Sequence, residues 1–311
     1  MKNPHTFVLV PSYNHGRYVA ECLRSIIAQT VAPKQLLVID DGSQDGSPQI
    51  IEDVLKDCPF PAELIVRENR GLTRTLNEGF ARSTGKYFAY LGSDDLWMPE
   101  FLENRQRLFA EHPDAGVAYG NSLVVDEWRA IKYCIEEWEH CAVGDIGSLL
   151  YSGCGPMSSS VVYRRAAIEG MMWDKGIKLE DYDFCLRVFK NSEFVFEPKT
   201  LSAWRQHGAN TSGDREMILE ECLAAQMKNL GLLASDKLRE IQNRTKLQHM
   251  EVFLQRGKKR EALKHMREDK KLLVSVRASK RHLAKLVCPQ VLINFNQWIL
   301  KNRATRAYGT R

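Results

Sequence analysis

The strongest constraint on this chain's fold is a repeated order of segments: a short apolar run, a polar loop, then a stretch with helical periodicity. Phe7–Val10 reads as a strand and Tyr18–Gln29 as an amphipathic helix. Leu36–Ile39 is followed in the same way by Pro48–Leu55, Leu64–Val66 by Thr73–Arg82, and Tyr87–Leu91 by Pro99–Glu111. Unbroken apolar runs of this size suit strands covered on both faces. Pro in a first helical turn is tolerated because that N–H has no partner inside the helix. The alternation predicts an α/β fold, a mainly parallel sheet with helices on either side, taking its ligands at the carboxyl ends of the strands.

After about Val117 the alternation loosens. Val161–Tyr163, Phe194–Phe196 and Leu201–Trp204 read as strands and Tyr182–Phe189 as a helix. From Arg215 onward the pattern is helical: Met217–Leu233, Leu238–Leu254, Arg260–Leu273 and a last segment around Leu283–Leu300. Charge divides at the same place. Residues 1–214 hold 22 Lys and Arg against 30 Asp and Glu, and residues 215–311 hold 22 against 9. The division predicts two parts, 1–214 and a basic helical region 215–311, the second facing something anionic.

Other classes are excluded by composition. With 44% hydrophobic residues spread over 311 positions, the chain can bury a sizeable core and is not disordered. Its apolar runs fall far short of the roughly 20 residues of a spanning helix. Met-Lys-Asn-Pro-His lacks the apolar stretch of a secretory signal, so the expected location is cytoplasmic. The eight Cys form no Cys-x-x-Cys pair and read as reduced thiols. No dinucleotide-binding glycine fingerprint opens a helix.

Polar residues gather where the strands end. Pro11-Ser-Tyr-Asn14 follows the first strand, Asp40-Asp-Gly-Ser43 the second, and Gly92-Ser-Asp-Asp95 the fourth. Asp40 and Asp41 suit ordinary turn chemistry, and equally suit hydrogen bonds from a base or ribose. Asp94 and Asp95 suit a hard divalent cation that also touches phosphate oxygens, although one of them could cap the next helix. Glu180-Asp-Tyr-Asp183 heads a helix, where acids favour the dipole, and one carboxylate there could be a general base. Taken singly, His207 in Arg205-Gln-His207 is more simply a structural histidine than a ligand.

In their order these segments resemble the inverting family 2 glycosyltransferases of the GT-A fold. The resemblance runs from about Phe7 to Ser212. It includes Val10-Pro-Ser-Tyr-Asn14, Val38-Ile-Asp-Asp-Gly-Ser43 with Asp45-Gly46, Glu68-Asn-Arg-Gly71 with Asn77-Glu-Gly79, and Gly85-Lys-Tyr87. Leu91-Gly-Ser-Asp-Asp-Leu-Trp-Met-Pro99, Glu180-Asp181 and Arg205-Gln-His207 complete it.

The resemblance implies a nucleotide-diphospho-sugar transferase fold with a Rossmann-like sheet. Pro11, Ser12, Tyr13, Asp40, Asp41, Gly71 and Asp95 would line the nucleotide pocket. Asp94 and His207 would hold Mg²⁺ or Mn²⁺, and Asp181 would be the catalytic base. Glu180 and Arg205 would support the acceptor side or the late loop. Gly92 departs from the pattern, since the family often has the first acid of Asp-x-Asp there. The implied partners are a nucleotide-sugar donor and a glycan or lipid-linked glycan acceptor, as in lipopolysaccharide or exopolysaccharide assembly. A non-catalytic nucleotide-sugar-binding or scaffold protein of the same fold is the alternative, against which Asp94, Asp181 and His207 together argue.

The basic region 255–311 combines Gln255-Arg-Gly-Lys-Lys-Arg260 with an apolar, aromatic stretch from Leu283 to Leu300. Either it docks on an anionic membrane at the inner face of the cytoplasmic membrane, or it packs on the catalytic part. Nucleic-acid binding is not expected, because the charge lacks aromatic interleaving and matches no reader motif.

Overall fold

Residues along β1 (Thr6–Ser12) alternate between two cores. Val8 and Val10 point to one side and Phe7 and Leu9 to the other, all four fully buried. The same alternation recurs in β2 (Gln35–Asp40), where Leu36 and Val38 oppose Leu37 and Ile39. This is what unbroken apolar runs become when helices cover both faces of a sheet. A computed structural model of the chain describes residues 5–134, 144–208, 210, 214–268, 290 and 294.

One face is covered by α1 (Val19–Ile27), α2 (Ser47–Leu55) and α4 (Phe101–Glu111). On α1 the buried residues Val19, Cys22, Leu23 and Ile26 follow helical spacing, so one stripe meets the sheet. The other face is covered by α3 (Leu72–Arg82) and α6 (Glu180–Phe189), with Trp173 wedged between them.

The sheet runs β3 (Ala62–Val66), β2, β1, β4 (Tyr87–Tyr90), β8 (Val162–Arg164), β6 (Ala115–Asp126), β9 (Glu193–Gln206) and β5 (Leu96–Trp97). A further strand, β7 (Ile131–Cys134), pairs with β6. The expected parallel pairing holds from β3 to β4 and between β6 and β9. β8 enters antiparallel between β4 and β6, and β5 lies antiparallel on β9.

Two differences from the expected elements have physical causes. Phe194–Phe196 and Leu201–Trp204 belong to one strand, β9. Its pairing with β6 shifts between Gly120↔Glu197 and Ser122↔Ser202, a bulge that accommodates Pro198. Asn121 Nδ2 donates to the Pro198 carbonyl at 2.7 Å and pins the bulge. The central strand β6 carries Gly116, Gly120, Asn121 and Ser122, which dilute any apolar pattern. Gly120 is required by packing: a Cβ there would stand 2.6 Å from the Glu197 carbonyl oxygen.

After the sheet come α7 (Arg215–Leu230), α8 (Ser235–Gln255) and α9 (Lys259–Glu268), while the short α5 (Ile146–Tyr151) lies earlier. Asp214 caps α7, its side chain accepting from Met217 N. β9 ends at Gln206 and α7 begins at Arg215. The packing joins the two parts: Tyr182, Cys185 and Leu186 of α6 share a core with Ile218, Cys222 and Ala225 of α7 and Ile241 of α8. Gln226 donates to both the Tyr182 hydroxyl and the Thr245 hydroxyl. Among the described residues no helix is long and apolar enough to cross a membrane. The segment Leu283–Leu300 lies outside the described residues except for Gln290 and Asn294.

Candidate active site

The loop after β4 holds Gly92, Ser93, Asp94 and Asp95, and its position is set by the strand that follows it. Because β5 pairs with Ser202 and Ala203 of β9, the loop is stitched to the carboxyl-terminal part of that strand. Arg205 is 1% exposed and completes the join. Its backbone N–H donates to Asp95 Oδ1 at 2.9 Å, and its guanidinium donates to the Asp94 carbonyl, the Glu127 carbonyl and Glu21 Oε2. Just beyond β9, His207 Nε2 stands 3.0 Å from Asp94 Oδ2, and Asn210 Nδ2 donates to the same oxygen at 3.3 Å.

The adjacent carboxylates are set apart by their surroundings. Burial opposes ionisation of Asp94, but the hydrogen bond with His207 and the charge of His15 outweigh it and hold its pKa below the ordinary carboxylate value. Burial, then repulsion from Asp94, pushes Asp95 well above that value. The two neighbours thus differ in the same direction as their surroundings: Asp94 is the more readily ionised and Asp95 the less.

His15, on the loop between β1 and α1, faces the same carboxylate, its Nδ1 2.8 Å from Ser93 Oγ and 3.8 Å from Asp94 Oδ1. Burial lowers its pKa, which favours the neutral imidazole that a cation needs. Donor atoms of His15, Asp94 and His207 lie within 4.8 Å of one another, a set that fits a small divalent cation.

The residues expected to line a nucleotide pocket form the neighbouring wall. Asp40 is fully buried and accepts from Ser43 N at 2.8 Å and Ser43 Oγ at 2.7 Å. Asp41, 4% exposed, accepts from Arg67, from Arg70 N at 2.9 Å and from Gly71 N at 2.7 Å. Both carboxylates therefore shape the loops around them. Gly71 sits at a positive φ of 86° at the start of α3, a conformation natural to glycine. Asn14 N donates to Ser43 Oγ and Gly16 N to Asp45 Oδ2, so the loops after β1 and β2 form one surface. Pro11 is half-buried, Ser12 is buried with a hydroxyl that has no partner among the described residues, and Tyr13 is 48% exposed. Beside this wall a shallow cavity of about 360 Å³ is lined by Arg70, Arg74, Asn77, Glu78, Met172 and Lys175.

Glu180 and Asp181 form the head of α6. Trp173 stacks on Phe184 with centroids 4.1 Å apart and meets Tyr90 edge-on, while Asn77 hydrogen-bonds both backbone groups of Trp173. The helix head is thereby held against the end of β4, where both acids act electrostatically on Tyr90. Burial, then repulsion from Asp181, pushes Glu180 up to about 8. Burial also raises Asp181, against the hydrogen bond from Tyr182 N. Both carboxyls at this helix head therefore resist ionisation.

The structure thus brings Asp94, Asp95, Arg205 and His207 together and places Asp40, Asp41 and Gly71 in one network. Sequence reasoning missed His15, Asn210 and Arg67. His15 had a signal, since it follows directly on Pro-Ser-Tyr-Asn14. Asn210 and Arg67 had none, because each matters only through its contact with a distant loop.

The model of the family described as "Glycosyl transferase family 2" matches residues 7–171, more than half of the chain. The chain belongs to this family. A Nostoc sp. member, described as an uncharacterized glycosyltransferase, is 28% identical over 211 residues, covering 65% of this chain and 65% of its own length. The chain spans just under two thirds of the length of that relative. Among solved structures, the mannosyltransferase PcManGT of Pyrobaculum calidifontis, in complex with GDP-Man and Mn²⁺, superposes with a TM-score of 0.61 at 17% identity. The match covers 100% of this chain and 89% of that one. S. aureus TarS 1–349 with UDP-GlcNAc gives a TM-score of 0.59 at 17% identity, over 79% of this chain and 73% of that one. At these identities the likeness is one of fold, and the fold is that of the GT-A glycosyltransferases.

Proposed function

We propose that this family 2 protein is an inverting glycosyltransferase. It would move one sugar from a nucleotide-diphospho-sugar to a glycan or lipid-linked glycan acceptor, in the assembly of a lipopolysaccharide, O-antigen or exopolysaccharide. The observation that carries the reading is convergence at one strand end: the loop after β4 presents Asp94 to His207, while Tyr90 at the end of β4 lies in the field of Asp181. Nucleotide-sugar complexes of the two structural relatives lend support to the donor class.

Pro11, Ser12, Tyr13, Asp40, Asp41, Gly71 and Asp95 would line the nucleotide. Asp94 and His207 would hold Mg²⁺ or Mn²⁺, which when bound supplies positive charge beside the diphosphate leaving group. Asp181 takes the proton of an acceptor hydroxyl while the acceptor oxygen bonds to the anomeric carbon. The bond from that carbon to the diphosphate oxygen breaks, and its electron pair leaves with the nucleotide. A single displacement inverts the anomeric centre and leaves no sugar on the enzyme. Glu180, protonated beside the base, keeps a second negative charge away from it, and Arg205 holds the late loop in place.

A raised Asp181 pKa means that transfer falls as pH drops through a value above the ordinary carboxylate range. Asp181→Asn should keep donor binding in a melting assay and lower transfer at least a thousandfold, about 4 kcal/mol of barrier. Transfer near the wild-type rate would remove Asp181 from the role of base. The exposed cations Arg256, Lys258, Arg260 and Lys264 on and before α9 support contact with an anionic membrane surface.

A further inference from the structure

The family pattern places an acid two residues before Asp94, and this chain has Gly92 there. The backbone leaves little room for one. A Cβ on Gly92 would lie 2.9 Å from Asp94 Oδ1 and 3.4 Å from Asp95 Oδ2, so a carboxylate there would press on two others. Two imidazoles face Asp94 in its place. His15 and His207 flank the carboxylate, one toward each oxygen, their rings 5.5 Å apart and nearly perpendicular.

Each ring is held. Tyr18 stacks on His207 at 4.9 Å and meets His15 edge-on at 6.1 Å. The His15 carbonyl accepts from Tyr18 N and Val19 N, both at 2.8 Å, which fixes it at the start of α1. His15 Nδ1 lies 2.8 Å from Ser93 Oγ, a contact that a bound ion would replace, and its separation of 3.8 Å from Asp94 Oδ1 is too long for a hydrogen bond. That separation fits two donors of one ion, which at about 2.1 Å from the metal stand no more than about 4.2 Å apart.

We propose that His15 is the third protein donor to the divalent cation, and that two imidazoles with one carboxylate make the site prefer Mn²⁺, Co²⁺ or Zn²⁺ to Mg²⁺. The proposal rests on the reading of Asp94 and His207 as a cation site. Its physical basis is ligand hardness: Mg²⁺ binds oxygen in near-ideal octahedra and gives up its water reluctantly, whereas imidazole nitrogen suits the borderline transition ions.

The test is Mn²⁺ binding to the full chain followed by electron paramagnetic resonance, alone and with UDP or GDP present. The wild-type protein should bind Mn²⁺, a tenfold excess of Mg²⁺ should fail to displace it, and pulsed spectra should show two directly bound imidazole nitrogens. His15→Ala should weaken Mn²⁺ binding at least tenfold, and His15→Asp should narrow the gap between Mn²⁺ and Mg²⁺. The pulsed spectrum of the wild type needs no variant, so a poorly folded His15→Ala leaves the test intact. One bound imidazole, or unchanged binding in His15→Ala while Asp94→Ala loses it, overturns the role of His15 and leaves the cation site standing. No Mn²⁺ binding by wild-type protein under any of these conditions overturns the cation site as well.

Discussion

At the scale of single residues, neighbouring acids at the candidate site titrate differently. Asp94 and Asp95 are adjacent in sequence, yet one is held below the carboxylate range and the other pushed above it. At the head of α6 both Glu180 and Asp181 are pushed upward by burial, with a consequence for stability. The folded state favours the protonated form of Glu180, raised from 4.5 to about 8. The stability this group contributes is complete below the unfolded value and is lost as pH rises from there toward about 8. Glu180→Gln should therefore lose less melting temperature than wild type between pH 5 and pH 8.5. An equal loss in both proteins would mean that Glu180 is solvated and ionised like an ordinary surface acid. The acids were legible in the sequence because each pair ends a strand or begins a helix. How far each is shifted was not, because that depends on burial and, for Asp94 and Asp95, on His207, His15 and Arg205, which fold in from elsewhere.

Among the elements, the strands and helices of the first half were legible because their burial is local. Apolar runs such as Val8–Val10 become strands covered on both faces, and their polar ends become the site. β6 was not legible, since Gly120, Asn121 and Ser122 are selected by close contact with β9 and Arg105. The join between β9 and the loop after β4 is the element-scale device on which the site depends. Arg205→Lys tests it: a single ammonium cannot span the Asp94 carbonyl, the Glu127 carbonyl and Glu21 together. The variant should lose about 1–3 kcal/mol in urea unfolding, with Glu21 too exposed for a larger effect. A loss below about 0.5 kcal/mol, the usual range of surface substitutions, would show that pairing of β5 with β9 holds the loop by itself.

Over the whole molecule, the division of charge at 214/215 suggested two parts, and the structure adds what composition could not carry. α7 and α8 supply the apolar surface that covers α6, so the helices that follow the sheet buttress the helix that carries Asp181. Buried polar contacts reinforce the join, with Asn229 and Lys228 both reaching Asp183 on α6. The link joins side chains such as Asp183 and Lys228, 45 positions apart in the chain, which no local pattern announces.

The central claim is a cleft that takes a nucleotide-sugar through a cation held by Asp94. The most direct measurement is melting of the purified chain with a panel of nucleotide sugars, in Mn²⁺ and in chelator, for wild type and Asp94→Ala. A donor at a hundred times its Kd should stabilise by about 2.7 kcal/mol. The account predicts a shift with one nucleotide class, abolished by chelator and by Asp94→Ala. A well-folded wild-type protein that no donor or free nucleotide stabilises would contradict it.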